Sequence, residues 1–512
     1  MSLHRESAFE TEICAHLAAH GWLYTEGDAA GYDRGRALWT ADVLAWVQAT
    51  QAGAWEALVK NHGALAGETL LGRVRDQLEA RGTLEVLRHG VELLGLKQPV
   101  KLAEFKPALA MNADIVARYA ANRLRVVRQV RYSLQNENSI DLVLFLNGLP
   151  VATVELKTDF TQGIGDAIDQ YRLDREPKGE PLLTFPRGAL VHFAVSNRAV
   201  AMVTRLAGKA TDFLPFNLGD EGAAGNPVNA AGGHRTAYLW EQVWARESWL
   251  EILGRYLIAQ RDKKGQVERV IFPRYHQLEV TRKLQSAVLA EGPGGKYLVQ
   301  HSAGSGKTNS IAWAAHFLAE LHDAQARKIF DTVLVVSDRT VIDSQLQEAL
   351  FDFQRQTGEA ASKLKAVLSP EELAERSDGG EVRMDDVLAA QMAARADDGG
   401  ITFVAFTATP KNKTLEIFGT RPDPSRKPGP DNVPGPFHVY SMRQAIEEKF
   451  ILDVLKNYTS YRLAFKLAHD GKDCDEKTVE RAAATKGIMG WVRLHPYNIS
   501  QKVQIVVEHF RA

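Results

Sequence analysis

The stretch Ile140–Lys157, IDLVLFLNGLPVATVELK, decides the fold of the first half of the chain. Two apolar runs flank Asn147-Gly148, a pair suited to a two-residue turn because both of its positions require positive φ. The stretch therefore predicts a β-hairpin within a largely buried sheet. Three of its residues are out of place there: Asp141, Glu155 and Lys157, spaced as Asp, thirteen residues, Glu-x-Lys. Side chains alternate along a strand, so Glu155 and Lys157 share one face while Leu156 takes the other, and a hairpin can bring Asp141 alongside. Two hard carboxylates plus phosphate oxygens suit Mg²⁺. A neighbouring lysine can align or deprotonate water for attack on a phosphodiester. The competing reading of so loose a pattern is an exposed, salt-bridged strand.

Upstream, residues 101–134 carry Lys101, Lys106, Arg118, Arg123, Arg125, Arg128 and Arg131 against Glu104 and Asp114, seven minus two, or +5. This reads either as a solvated basic helix face or as a surface that holds phosphates beside the acidic centre. Whole-chain charge does not choose between them, since 62 Lys+Arg against 63 Asp+Glu give −1. Further back, ESAFETEICAHLAAHGW at 6–22 places Phe9, Ile13 and Leu17 on one helical stripe, and mostly helical patterning continues to about residue 127. Downstream, ALVHFAVS at 189–196 predicts another buried strand, and LGDEGAAGNPVNAAGGH at 218–234 a long loop. Helical patterning resumes at 237–258, and the polar break RDKKGQ at 261–266 marks a domain boundary.

The 512 residues are enough for three or four domains, and 45% apolar with 24% charged residues is an ordinary globular composition. Two cysteines, Cys14 and Cys474, give no disulfide framework and no metal-binding pair. The charged N-terminus and the lack of any run of about 18 apolar residues argue against secretion and membrane spanning. A reducing, cytoplasmic setting is expected.

From residue 270 the pattern becomes α/β: strand KYLVQ, a glycine-rich turn, helix TNSIAWAAHFLAELHDA, strand TVLVVSD, and later ITFVAFTATP at 401–410. That alternation predicts a parallel, doubly wound sheet. His301-Ser-Ala-Gly304-Ser305-Gly306-Lys307-Thr308 sits between predicted strand and helix, the context that makes a phosphate-binding loop credible. Gly304 and Gly306 let backbone N–H groups and that of Ser305 face the phosphates of ATP, Lys307 adds a point charge, and the Thr308 hydroxyl ligates Mg²⁺. Tyr275 and Gln277, some thirty residues earlier, stand where helicase-like motors read adenine. Thr407 and Thr409, in TATP, look like the motif that couples nucleotide state to nucleic-acid grip. Between 421 and 436, six of sixteen residues are proline, which predicts an extended linker.

Taken together, FETEICAHLAAHGW, DLVLFLNGLPVATVELK, AIDQYRLDR, TDFLPFNLG with GNP, YHQLEVTRKL, QHSAGSGKTNSIAW, FTATPKNKTLEIFG and HPYNISQKVQIVVEHFR give a sequence that resembles the restriction (motor) subunit of type I restriction-modification enzymes. The resemblance implies an α/β chain. A restriction-endonuclease-like nuclease domain over 1–260 precedes a superfamily 2 helicase motor: a first RecA-like P-loop domain over 261–420, then a linker and the start of a second over 421–512. It carries the nuclease triad onto Asp141, Glu155 and Lys157, with nuclease Mg²⁺ on Asp141 and Glu155. Glu10 falls at the acidic position of the first helix. Gln170 and Tyr171 fall where the family carries Gln-x-x-x-Tyr, although here they are adjacent. Gln277, Lys307 and Thr308 match nucleotide contacts. The implied partners are double-stranded DNA and the methylation and specificity subunits, S-adenosylmethionine entering only through the methylation subunit.

One departure matters. The family has an Asp-Glu box between the phosphate loop and TATP, because its Asp holds the Mg²⁺ shell and its Glu polarises water. Here FDFQRQTGEAASKLKAVLS passes straight across that region, and Asp385-Asp386 follows no apolar strand. This suggests an internal deletion near 355–356, with residues 330–400 the least well packed, and a chain that stops before the second motor domain is complete. Two readings stay open, a translocating DNA endonuclease subunit and a remnant with nuclease domain and nucleotide loop but no motor. A third, a P-loop kinase or small ATPase using Asp338, leaves the nuclease-like half unexplained.

Overall fold

The computed structural model describes residues 6–158, 162–230, 232–336, 364–368 and 400–453 apart from 424 and 428, with a few isolated positions elsewhere. Residues through Phe450 make one compact unit and those from Ile451 another. Asp338, Asp385-Asp386, the junction at 355–356 and most of 330–400 lie outside the described residues.

The chain opens with helix α1 (Glu6–Ala19), which buries Phe9, Ile13 and Leu17 along the stripe its spacing predicts. Five helices follow: α2 (Thr40–Thr50), α3 (Ala52–His62), α4 (Ala66–Arg81), α5 (Thr83–His89) and α6 (Ala113–Ala121). Helix does not run on to 127. The chain becomes strand at Leu124, where Val126, Val127 and Val130 all bury their branched side chains.

A six-stranded sheet runs in chain order: β1 (Leu124–Arg131), β2 (Ser139–Leu146), β3 (Leu149–Leu156), β4 (Val191–Val195), β5 (Val200–Val203) and β6 (Leu214–Pro215). Neighbours are antiparallel except β3 and β4, which are parallel. Helix α7 (Ile164–Asp169) lies in the connection between these two. The β2–β3 hairpin turns on Asn147 (φ +49) and Gly148 (φ +84), as the dipeptide predicts. Alternation splits the sheet between two apolar clusters. Leu142, Leu144 and Leu146 join the larger, while Val143 and Phe145 join the smaller with Tyr132, Tyr171 and Leu182. Both faces are covered, which is why the two central strands read as nearly continuous apolar runs.

Helix α8 (Arg246–Glu251) leads to the hairpin β7 (Ile258–Arg261) and β8 (Val267–Ile271), and RDKKGQ is its turn. Next come α9 (Tyr275–Glu291), β9 (Lys296–His301), α10 (Lys307–Ala319), β10 (Val333–Val336), β11 (Leu364–Leu368), β12 (Phe403–Thr407), α11 (Asn412–Phe418), β13 (His438–Tyr440) and α12 (Met442–Glu447). β9 is flanked by β12 and β13, all parallel, whereas β10 and β11 pair separately, also in parallel. The proline-rich segment is a closed loop and not an extended run. Thr420 and Gly435 bridge its ends, and the Asn432 amide donates to the carbonyls of Asp423 and Arg426. Among the described residues no helix is long and apolar enough to cross a membrane.

Candidate active site

Asp141 and Glu155 face each other because of one irregularity. Next to the turn the hairpin pairs Leu146 with Leu149 and Phe145 with Pro150, but past a one-residue bulge it pairs Leu144 with Ala152 and Leu142 with Val154. Continued by one residue, that register sets Asp141 opposite Glu155. Without the bulge Asp141 would oppose Val154, whose side chain points to the other face. On the other side, β1 pairs Arg128 with Leu142 and Val130 with Ile140, so Gln129 stands opposite Asp141. A row Gln129–Asp141–Glu155 therefore crosses three adjacent strands.

Gln129 is exposed, but the charged groups are buried: Asp141 and Lys157 are 7% exposed, Glu10 4% and Glu155 0%. Asp141 Oδ2 accepts from the backbone N–H of Leu156 at 2.8 Å, and Oδ1 from the Gln129 amide at 3.2 Å. Glu155 Oε1 accepts from Arg175 Nε at 2.7 Å, and its buried Oε2 has no hydrogen-bond partner. Burial, and then the nearby charge of Asp141, push the Glu155 carboxyl well above the usual carboxylate range. Lys157 Nζ donates to Glu6 Oε1 at 2.8 Å and to the Leu156 carbonyl at 3.0 Å.

Each oxygen of Glu10, on the first helix, accepts from a side chain. Arg128 Nε donates to Oε2 and the Gln129 amide to Oε1, each at 2.9 Å, while burial raises its pKa. Gln129 has φ +51, a left-handed conformation that costs a non-glycine residue about 1–3 kcal/mol. Tyr171 is fully buried and shares a hydrogen bond with Thr153, itself bonded to His192, and Gln170 is half-buried. The residue of that segment that reaches the carboxylates is Arg175. Sequence reasoning missed Arg175, Gln129 and Glu6. None carries a spacing signature, although Arg175 stands one turn beyond Tyr171.

A divalent cation fits this centre. Two carboxylates meet across adjacent strands, one with a buried oxygen lacking a partner, and Mg²⁺ typically takes one or two protein carboxylates plus water and substrate oxygens. Among the described residues no group of three or more His, Cys, Asp or Glu is arranged to hold a metal ion, so protein side chains do not supply a full cage. Asp141 and Glu155 are the residues that would hold the ion.

The basic stretch is not a bare approach surface. Arg123 and Arg125 pair with Asp42, Arg128 with Glu10, Lys101 and Arg118 with Glu104, Arg131 with Glu137 and Lys106 with Glu247. Five of these seven pairs reach acids outside 101–134 or on another element, which a local charge count does not register.

The second centre lies between β9 and α10. Gly304 and Gly306 both adopt φ +72, giving the expected loop, and Lys307 opens the helix. Lys307 Nζ donates to the carbonyls of His301 and Ser302 at 3.1 and 2.9 Å, and burial lowers its pKa. Gln277 Nε2 donates to the Ser305 and Gly306 carbonyls, so it clasps the loop. Tyr275 instead packs on Tyr238 and Phe216. Thr308 is half-buried in the first turn of α10, Thr407 ends β12 opposite Gln300, and Thr409 is exposed beyond it. Behind the loop, His301 Nε2 lies 2.8 Å from His438 Nδ1, and His438 Nε2 lies 3.0 Å from Glu279. Burial holds His301 down to about 2, so its imidazole is neutral.

Comparison with known proteins covers both centres. Residues 4–211 match the family model described as type I restriction enzyme R protein N terminus, and residues 271–382 match that of the type III restriction enzyme res subunit. A putative type I restriction enzyme MjaVIIIP endonuclease subunit of Methanocaldococcus jannaschii is 24% identical over 299 residues, 56% of this chain and 26% of that protein. The type I restriction enzyme HindI endonuclease subunit of Haemophilus influenzae is 24% identical over 232 residues, 44% of this chain and 21% of that protein. The chain thus spans about a quarter of the length of these curated relatives.

Proposed function

Since the chain belongs with the R subunits of type I restriction systems, we propose that it cleaves DNA phosphodiesters at the Asp141–Glu155–Lys157 centre, in a restriction-endonuclease-like domain over 1–260. The observation that carries this reading is the pair Asp141 and Glu155 set opposite on β2 and β3, with the unpartnered buried oxygen of Glu155 and with Lys157 just past the end of β3. When bound, Mg²⁺ supplies Lewis-acid charge to a phosphodiester oxygen and to an attacking water. Asp141 is held by the Leu156 N–H and Glu155 by Arg175, so both carboxylates are oriented before any cation arrives. Lys157 exchanges Glu6 for the developing phosphate charge or the water. In a supercoiled-plasmid assay, Asp141→Ala and Lys157→Ala should each abolish Mg²⁺-dependent nicking. Variants that cleave like the parent would contradict the assignment.

The motor half supports a second, linked proposal. Gly304 to Thr308 cradle the phosphates of ATP, with Mg²⁺ on Thr308 and Lys307 leaving its loop carbonyls for phosphate oxygens, in a first RecA-like domain over 261–420. In a cytoplasmic complex with methylation and specificity subunits, such a subunit moves along double-stranded DNA before cutting it. One observation favours the motorless alternative for this polypeptide: the sequence between Thr308 and Thr407 holds no Asp-Glu pair. DNA-stimulated ATP hydrolysis should therefore be negligible, and robust turnover lost in Lys307→Ala would overturn that alternative and the deletion behind it.

A further inference from the structure

Gln129 sits where it has no ordinary structural business. It adopts left-handed φ in the middle of β1, and its side chain reaches sideways to Glu10 on α1 and to Asp141 on β2. A single nitrogen, Nε2, gives one hydrogen to each carboxylate, at 2.9 Å and 3.2 Å. The two carboxylates set the amide orientation, because the flipped amide would turn an oxygen toward both of them, and Oε1 accepts from the Ser139 hydroxyl at 3.0 Å. The other Glu10 oxygen is held by Arg128. The space between Glu10 and Asp141 is thus occupied by an amide, whereas Glu155, across the row, keeps a buried oxygen without a partner.

We propose that Gln129 takes the place of a second divalent cation: its amide bridges Glu10 and Asp141 as an ion would, leaves Glu10 a positioning residue, and limits the centre to one cation on Asp141 and Glu155. This rests on the nuclease reading above. Two carboxylates drawn to one point need positive charge or donors between them, and here a neutral amide with two donors serves.

The test is calorimetric titration of the full chain with Mn²⁺ alone. The parent should bind one ion, and Asp141→Ala should lose it. Gln129→Gly tolerates the left-handed backbone while deleting the amide, and Gln129→Glu replaces the donor with an acceptor. Both should bind two ions, and adding Glu10→Ala to either should return the count to one. A count of one in both Gln129 variants, with affinity within threefold of the parent, overturns the proposal. So does a parent that binds two ions and loses one in Glu10→Ala. If Asp141→Ala binds like the parent, the ion is elsewhere and the reading of the centre itself fails, whatever the Gln129 variants do.

Discussion

Glu155 stays in a fully buried position by leaning on one guanidinium. Arg175 is nearly as buried, and its Nη2 also donates to the Ser139 carbonyl, so it ties the carboxylate to β2. Removing one partner of a buried pair strands the other, at a typical cost of 3–5 kcal/mol. Arg175→Ala should therefore lower the unfolding free energy by about 3 kcal/mol in urea titrations, and millimolar Mg²⁺ should recover part of it. An unchanged midpoint would show that the pair contributes nothing. At this scale the sequence was partly legible. Asp141, Glu155 and Lys157 stood out because charged residues in apolar strands are anomalous. Gln129 and Arg175 did not, because an amide in a strand or an arginine just past a helical segment is ordinary until the fold supplies its partner.

The bulge in the β2–β3 hairpin decides which face the centre is on. A two-residue turn alone would leave Asp141 opposite Val154, and the extra residue restores the pairing with Glu155. Deleting Val151 should slip β3 by one position and abolish nicking while keeping sheet content in circular dichroism. Retained activity would mean that the register is set elsewhere. The turn is equally constrained: a Cβ on Gly148 would stand 2.4 Å from the Trp39 carbonyl oxygen at φ +84, so Gly148→Ala should cost at least about 1 kcal/mol in denaturant unfolding. Asn147-Gly148 announced this turn because few residues accept its dihedrals, whereas the bulge carries no comparable sequence mark. Strands β2, β3, β4, β9, β10 and β12 were legible as apolar runs, whereas β5, β6, β7, β8 and β11 were too short or too polar to stand out. The start of β1 was not, since LRVVRQVR alternates cations with valines and its arginines find their acids on α1, α2 and a preceding turn.

Across the whole first unit, one apolar cluster extends from Phe9 through Trp249 to Trp313 and Phe317, joining the segment that carries the carboxylates to the helix behind the phosphate loop. Sequence periodicity marks which residues are buried but not which cluster they enter, so this continuity was not legible. Buried neutral histidines make the unit acid-sensitive. His192 is held at about 3 by burial, while unfolded it takes up a proton near pH 6.5. Its contribution is complete above pH 6.5 and is lost as pH falls toward 3, at about 1.4 kcal/mol per unit. His192→Gln should flatten the decline of stability between pH 6 and 4 by about one proton per chain, and an identical slope would count against a neutral His192. The central claim, that Asp141 and Glu155 form a divalent-cation nuclease centre, is tested most directly by Glu155→Gln. That variant keeps the oxygen that Arg175 holds, so fold and chemistry separate. Conversion of supercoiled to nicked plasmid in Mg²⁺ should fall at least about a hundredfold, with the melting temperature preserved. Nicking within threefold of the parent would contradict the account.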